Sequence, residues 1–111
     1  MTDTAAPAEY AELRELLLRI RSENEADLVR ARAALADLSA NGLLVNPSMR
    51  EESTSAQYLI DDANTIIGKV DAALARMDEG TFGVCTRCGS QIGIPRLRVR
   101  PYEPTCVSCS S

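Results

Sequence analysis

Cys85-Thr86-Arg87-Cys88 and Cys106-Val107-Ser108-Cys109 together hold all four cysteines of this 111-residue chain. Seventeen residues separate the two C-x2-C pairs, a spacing typical of a four-cysteine metal site. Each pair forms a tight turn that offers two sulfurs to one ion, so two turns complete a tetrahedral shell. Thiolates in that geometry suit zinc, and a closed shell leaves no position for substrate, which predicts a structural rather than a catalytic metal. Cys85, Cys88, Cys106 and Cys109 are therefore the expected ligands of Zn2+. Iron in a rubredoxin-like site, a disulfide or a thiol-redox pair are the alternatives the same spacing leaves open.

The rest of the chain has little bulk with which to build a broad core. It contains one Phe, three Tyr and no Trp, and its apolar residues are mostly Ala, Leu, Ile and Val. A chain of this size needs a staple or a long helix pairing for stability. The N-terminal Met1-Thr2-Asp3-Thr4 is not basic and Leu16-Leu17-Leu18 is too short for a signal-peptide core, so no export is expected. No apolar run approaches membrane-spanning length. Cysteines in this pattern then imply metal ligands in a reducing compartment, and a cytoplasmic location. The formal charge is −4; zinc binding would displace four thiol protons and add two positive charges, taking it to −6. Residues 1–84 carry eight basic and fifteen acidic side chains, whereas residues 85–111 carry four arginines and one glutamate. An acidic body argues against autonomous DNA binding, which depends on neutralising phosphates.

Residues 1–6 are small and polar and are expected to be disordered. A helix is predicted over about 7–41. Tyr10, Leu13, Leu17 and Ile20 alternate spacings of three and four, a heptad seam. Continued in register the seam meets Asn24, Asp27, Ala31, Ala34 and Leu38, whereas Leu28, Ala31, Leu35 and Leu38 offer a shifted apolar stripe. That shift predicts a stutter, or a stripe rotating toward a partner helix, with Asn24 either fixing register or facing water. Asn41-Gly42 predicts a glycine-terminated helix end, with Leu38 meeting Leu43. A tip over 42–48 follows, and Ser48-Met49-Arg50-Glu51 matches a capping box. A second helix is predicted over about 49–79. Ala56, Ile60, Ala63, Ile67, Val70, Leu74 and Met77 form its seam, and Leu59, Ile66 and Ala73 widen it. Two matched helices joined by a short loop predict an antiparallel coiled-coil hairpin over 7–80. A monomer is favoured; Leu16, Leu18 and Tyr58, off the seams, keep a homodimer open.

Residues 81–111 form the predicted four-cysteine zinc finger with short β elements, giving a mainly α fold. Phe82-Gly83 is expected to pack where hairpin and finger join. Ile92, Ile94, Leu97 and Val99 are β-formers, which would place Arg96, Arg98 and Arg100 on one strand face. That row is either a solvated edge or a contact for phosphate or an acidic partner. Histidine is absent, the glycines are scattered, and the pairs Glu51-Glu52 and Asp61-Asp62 are adjacent on a helix and so do not converge. No enzyme is expected.

The run Phe82-Gly83-Val84-Cys85-Thr86-Arg87-Cys88-Gly89, continuing through Ile92, Arg96, Leu97 and Pro101 to the second cysteine pair, resembles the DksA/TraR C4-type zinc-finger family. The resemblance implies a bacterial regulator that binds RNA polymerase, placing a coiled coil in the secondary channel with its tip near the catalytic centre. Guanosine tetraphosphate is a co-effector in that family. Well-known members carry a D-x-x-D-x-A motif at the tip. Here Asn46, Met49 and Glu51 occupy those positions in one register, and Gly42, Val45 and Pro47 in the other, so both aspartates are missing. The resemblance points to Asn46, Ser48, Met49 and Glu51 as tip contacts. Lys69 and Arg100 match two of the family's basic nucleotide-binding positions, and a third falls on Ser110. A zinc-stapled adaptor or dimerisation module with the same fold is the competing expectation.

Overall fold

The computed structural model describes residues 7–42 and 45–110. Four helices follow in order: α1 Pro7–Ala40, α2 Pro47–Glu79, α3 Ile94–Val99 and α4 Val107–Ser110. The expectations for residues 1–6 and for a Leu38–Leu43 contact lie outside the described residues.

Helix α1 is built mostly from Ala, Leu, Glu and Arg, residues that lose little rotamer freedom in a helix, whereas α2 carries more Ile, Ser, Thr and Asp and leans on its apolar stripe. Their ends are set by local chemistry. At the end of α1, Gly42 takes φ +67°, and the Asn41 side chain donates to the Asp37 carbonyl at 2.9 Å. Helix α2 begins two residues earlier than the sequence suggests, and its cap is Asn46 rather than Ser48. The Asn46 side-chain oxygen accepts from the Ser48 backbone N–H at 2.9 Å, and its carbonyl accepts from Arg50 N–H. Pro47 is then the first helical residue, where its fixed φ helps and its missing N–H costs nothing. The Ser48–Glu51 capping box gives way because an asparagine just before a proline satisfies the orphan amides with the helix two residues longer. At the far end Gly80 closes α2 in a Schellman turn. Thr81 N–H reaches the Arg76 carbonyl at 2.9 Å and Gly80 N–H the Met77 carbonyl at 3.3 Å.

The long helices pack against each other along one stripe each. On α2, Ala56, Ile60, Ala63 and Val70 are buried on the predicted track, and Ala73 beside it is fully buried. Leu59 does not widen this stripe; it is 59% exposed. On α1, Leu13, Leu17, Ala31 and Leu38 are buried and Ile20, Asn24, Leu28 and Leu35 half-buried, whereas Asp27 and Ala34 are exposed. Successive steps of four from Ile20 to Asn24 to Leu28 are a stutter, and the apolar stripe follows the shifted track. Leu18 and Tyr58 are exposed, as expected of positions off the seams.

The chain divides into two compact units. One comprises the described residues of 1–20 and 68–111, so the first turns of α1, the last turns of α2 and the finger share a core. The other is Arg21–Ile67, where residues 27–38 of α1 face 52–59 of α2. In the first unit Phe82, Cys85, Ile92 and Leu97 are buried together with Leu13 and Leu17. Phe82 meets Tyr10 edge-on, with ring centroids 5.3 Å apart, and the Tyr10 hydroxyl donates to the Phe82 carbonyl at 3.1 Å. Gly83 sits directly beneath that hydroxyl at φ +84°; a Cβ there would lie 3.0 Å from Tyr10 Oη.

Candidate metal centre

Each cysteine pair is presented by a backbone turn. Around the first, Cys85 N–H donates to the Ser90 carbonyl at 2.8 Å and Ile92 N–H to the Gly83 carbonyl at 2.8 Å. Val84 and Gln91 form an isolated antiparallel bridge, the one β feature among the described residues. Gly89 N–H donates to the Cys85 carbonyl at 3.0 Å and closes the turn that carries Cys88. The second pair sits at α4, where Cys109 N–H donates to the Cys106 carbonyl at 3.1 Å. Cross-links between the turns include Thr86 N–H to the Pro104 carbonyl at 2.9 Å and Arg87 Nη1 to the Cys109 carbonyl at 3.4 Å.

All four sulfurs lie within 4.8 Å of one another, and Cys88 Sγ is 3.7 Å from Cys106 Sγ. A tetrahedral ion with Zn–S bonds of about 2.3 Å requires sulfurs roughly 3.8 Å apart, so the donor set fits Zn2+. Cys85 is buried and Cys88 exposed, with Cys106 and Cys109 between these extremes. Their electrostatics differ accordingly. The Cys106 backbone N–H aimed at Cys85 holds that thiol down at about 6, with the Arg87 N–H at 3.4 Å contributing. Hydrogen bonding from Ser90, side chain first, lowers Cys88. Cys109, crowded by the sulfurs of Cys106 and then Cys85 and Cys88, is pushed up to about 12. Four thiolates this close repel each other, and a dication removes the repulsion. The four cysteines that the structure brings together were legible in the sequence; the Ser90 hydroxyl was not, because a serine two residues past a cysteine carries no signal until the turn is formed.

The arginine row is rearranged. Gly93 at φ +96° and Pro95 start helix α3 where a strand was expected. Pro95 lacks a ladder donor and its ring fixes φ in the helical range, so a short helix wins over the β-branched composition. Arg96, Arg98 and Arg100 consequently do not share one face. Arg96 pairs with Glu103 at 3.6 Å and donates to the Thr105 carbonyl at 3.4 Å. Arg100 lies 3.9 Å from the same carboxylate, and Arg98 pairs with Glu9 of α1 at 3.4 Å. Glu103, whose side chain is only 15% exposed, is thus the acid that organises this region. As the one acidic residue among the finger's arginines, it carried a compositional signal that spacing alone did not resolve. Lys69 is exposed on α2.

At the other predicted site, Asn46, Ser48 and Glu51 are exposed, and Met49 is half-buried on the seam side of α2. Asn46 is occupied as the helix cap.

Two long packed helices with a four-cysteine zinc centre after the second define a zinc-finger protein of the helical-hairpin class. Residues 80–110 match the prokaryotic dksA/traR C4-type zinc finger. The RNA polymerase-binding transcription factor DksA of Escherichia coli is 29% identical over 106 residues, covering 94% of this chain and 70% of that protein. A protein of Aquifex aeolicus is 32% identical over 63 residues, a match spanning 53% of this chain and less than half, 43%, of its relative. The solved structure of the transcription factor DksA2 from Pseudomonas aeruginosa superposes with a TM-score of 0.79 at 29% identity, covering 94% of this chain and 81% of that one. Residues 80–110 thus carry a dksA/traR C4-type zinc finger whose cofactor is Zn2+, and the chain as a whole is similar in sequence and fold to DksA proteins.

Proposed function

We propose that the protein is a non-enzymatic, cytoplasmic transcription regulator that binds bacterial RNA polymerase by inserting its helical hairpin into the secondary channel. The observation that carries this reading is the match to the polymerase-binding DksA along 94% of the chain, helices as well as finger. The acidic surface of the hairpin suits a basic channel, and the same charge disfavours binding DNA alone. The tip lacks both aspartates of the family motif, and Asn46 supports the fold there as a helix cap. The protein would therefore occupy the channel without presenting paired carboxylates to the active centre. Asn46, Ser48, Met49 and Glu51 are its proposed tip contacts. Lys69 and Arg100 remain the positions through which guanosine tetraphosphate would act, although Arg100 already has Glu103 as a neighbour.

Co-purification with core polymerase, followed by transcription in vitro with and without guanosine tetraphosphate, tests the proposal. Binding should be lost when residues 40–52 are replaced by a short glycine loop, and should compete with another secondary-channel factor. A complex indifferent to both would overturn the reading. The exposed Leu18 and Tyr58 favour, as a second reading, a zinc-stapled adaptor that dimerises. A stable dimer with no affinity for polymerase would select it.

A further inference from the structure

The stutter in α1 leaves a structural trace. Had the first register continued, Asp27 and Ala34 would sit on the seam; the apolar stripe instead passes through Leu28 and Leu35, and Asp27 and Ala34 remain exposed beside the buried Ala31 and Leu38 that both registers share. Asp27, Ala31, Ala34 and Leu38 of α1, with Ala56 and Leu59 of α2, line an open groove of about 420 Å³. Ala31, Ala34 and Ala56 contribute only methyl groups to its lining, and Leu59, which also lines it, is 59% exposed. Closely packed helices leave few voids of this size, and apolar-lined clefts of a few hundred Å³ are the usual seats for side chains or ligands.

The groove's surroundings restrict what can occupy it. Asp27 and Glu52 stand on its rim, and Arg30, which also lines it, is paired with Asp27. Residues 21–67 carry eight acidic and four basic side chains, a net charge of −4. A second copy would bring the same negative surface against itself, and a nucleic acid would bring phosphates. A basic protein segment is complementary in both charge and polarity.

Resting on the polymerase-binding reading, we propose that this groove seats an aliphatic side chain carried on a basic segment of RNA polymerase. The contact anchors the flank of the hairpin, separately from the tip. Seating one apolar side chain in a desolvated pocket is how small interfaces concentrate their affinity.

The test uses the full zinc-loaded chain and core polymerase. Ala34→Leu fills the groove from within at an exposed position, and Leu59→Asp places a charge on its wall. Each should weaken polymerase binding by about tenfold or more while helicity and melting temperature stay at the parent values. Tyr58→Ala, outside the groove and beside Asp61 and Asp62, should bind as the parent does. If the parent binds and both groove variants bind equally well, the inference is overturned and the polymerase reading stands. If the parent does not bind polymerase at all, both fall together. A concentration-dependent dimer in sedimentation that Ala34→Leu abolishes would also overturn it, assigning the groove to a second copy.

Discussion

At the scale of single residues, the metal ligands and two glycines carry most of the specificity. Cys106→Ser removes one sulfur from a shell in which binding and folding are coupled. The variant should bind less than one zinc per chain and lose ordered structure over residues 82–110, measured by metal analysis and amide exchange. Unaltered stoichiometry and melting would show that a fourth ligand is dispensable. Protons compete with zinc for the same sulfurs, so affinity should rise with pH. Cys109, pushed up by the neighbouring sulfurs, has the most to lose when the metal displaces its proton to solvent, whereas Cys85, held down by backbone N–H groups, has the least. Competition with a chromophoric chelator between pH 6 and 8 measures this, and a flat profile would contradict thiolate ligation. Gly83→Ala and Gly80→Ala impose the same positive φ on alanine, a cost of about 1–2 kcal/mol. Only at position 83 would the new methyl also meet a neighbour, Tyr10 Oη at 3.0 Å. Thermal denaturation should therefore rank Gly83→Ala as the more destabilising.

At the scale of elements, the helices are held by their seams and their caps. Leu17 is fully buried and its neighbour Leu18 is 46% exposed. Leu17→Ala should cost about 2–5 kcal/mol in urea denaturation and Leu18→Ala well under half of that. Equal costs would mean that the seam is wrongly placed. Asn46→Ala removes the side-chain acceptor for Ser48 N–H and should cost about 1 kcal/mol, whereas Asn46→Asp keeps the cap. Helix limits were legible from composition to within two residues because glycine, proline and asparagine act locally. Which of two nearby caps is used was not legible, since Asn46 and Ser48 are both good acceptors for the free amides of a first turn. Helix α3 was misread as a strand for a related reason. Six residues are too few for periodicity to outvote β-branched composition, and the deciding influences were Gly93 and Pro95 at its start.

At the scale of the whole molecule, finger and hairpin base belong to one compact unit, tied by Tyr10–Phe82 and Glu9–Arg98. Removing zinc with a chelator should thus raise amide exchange in residues 7–20 as well as in 82–110, while 21–67 changes less. Exchange confined to the finger would show that the base stands without it. The sequence alone was enough to single out the four cysteines that cluster, the metal they suit, the paired helices and the resemblance to a family. Each of those rests on residues close in the chain, or on periodicity that one helix imposes on itself. Only the tertiary structure decided that the arginines are divided between Glu103 and Glu9, that Ser90 hydrogen-bonds a ligand sulfur, and that the stutter leaves a groove beside Leu59. Those features depend on which surfaces meet across long stretches of chain, and meeting is settled by packing rather than by spacing.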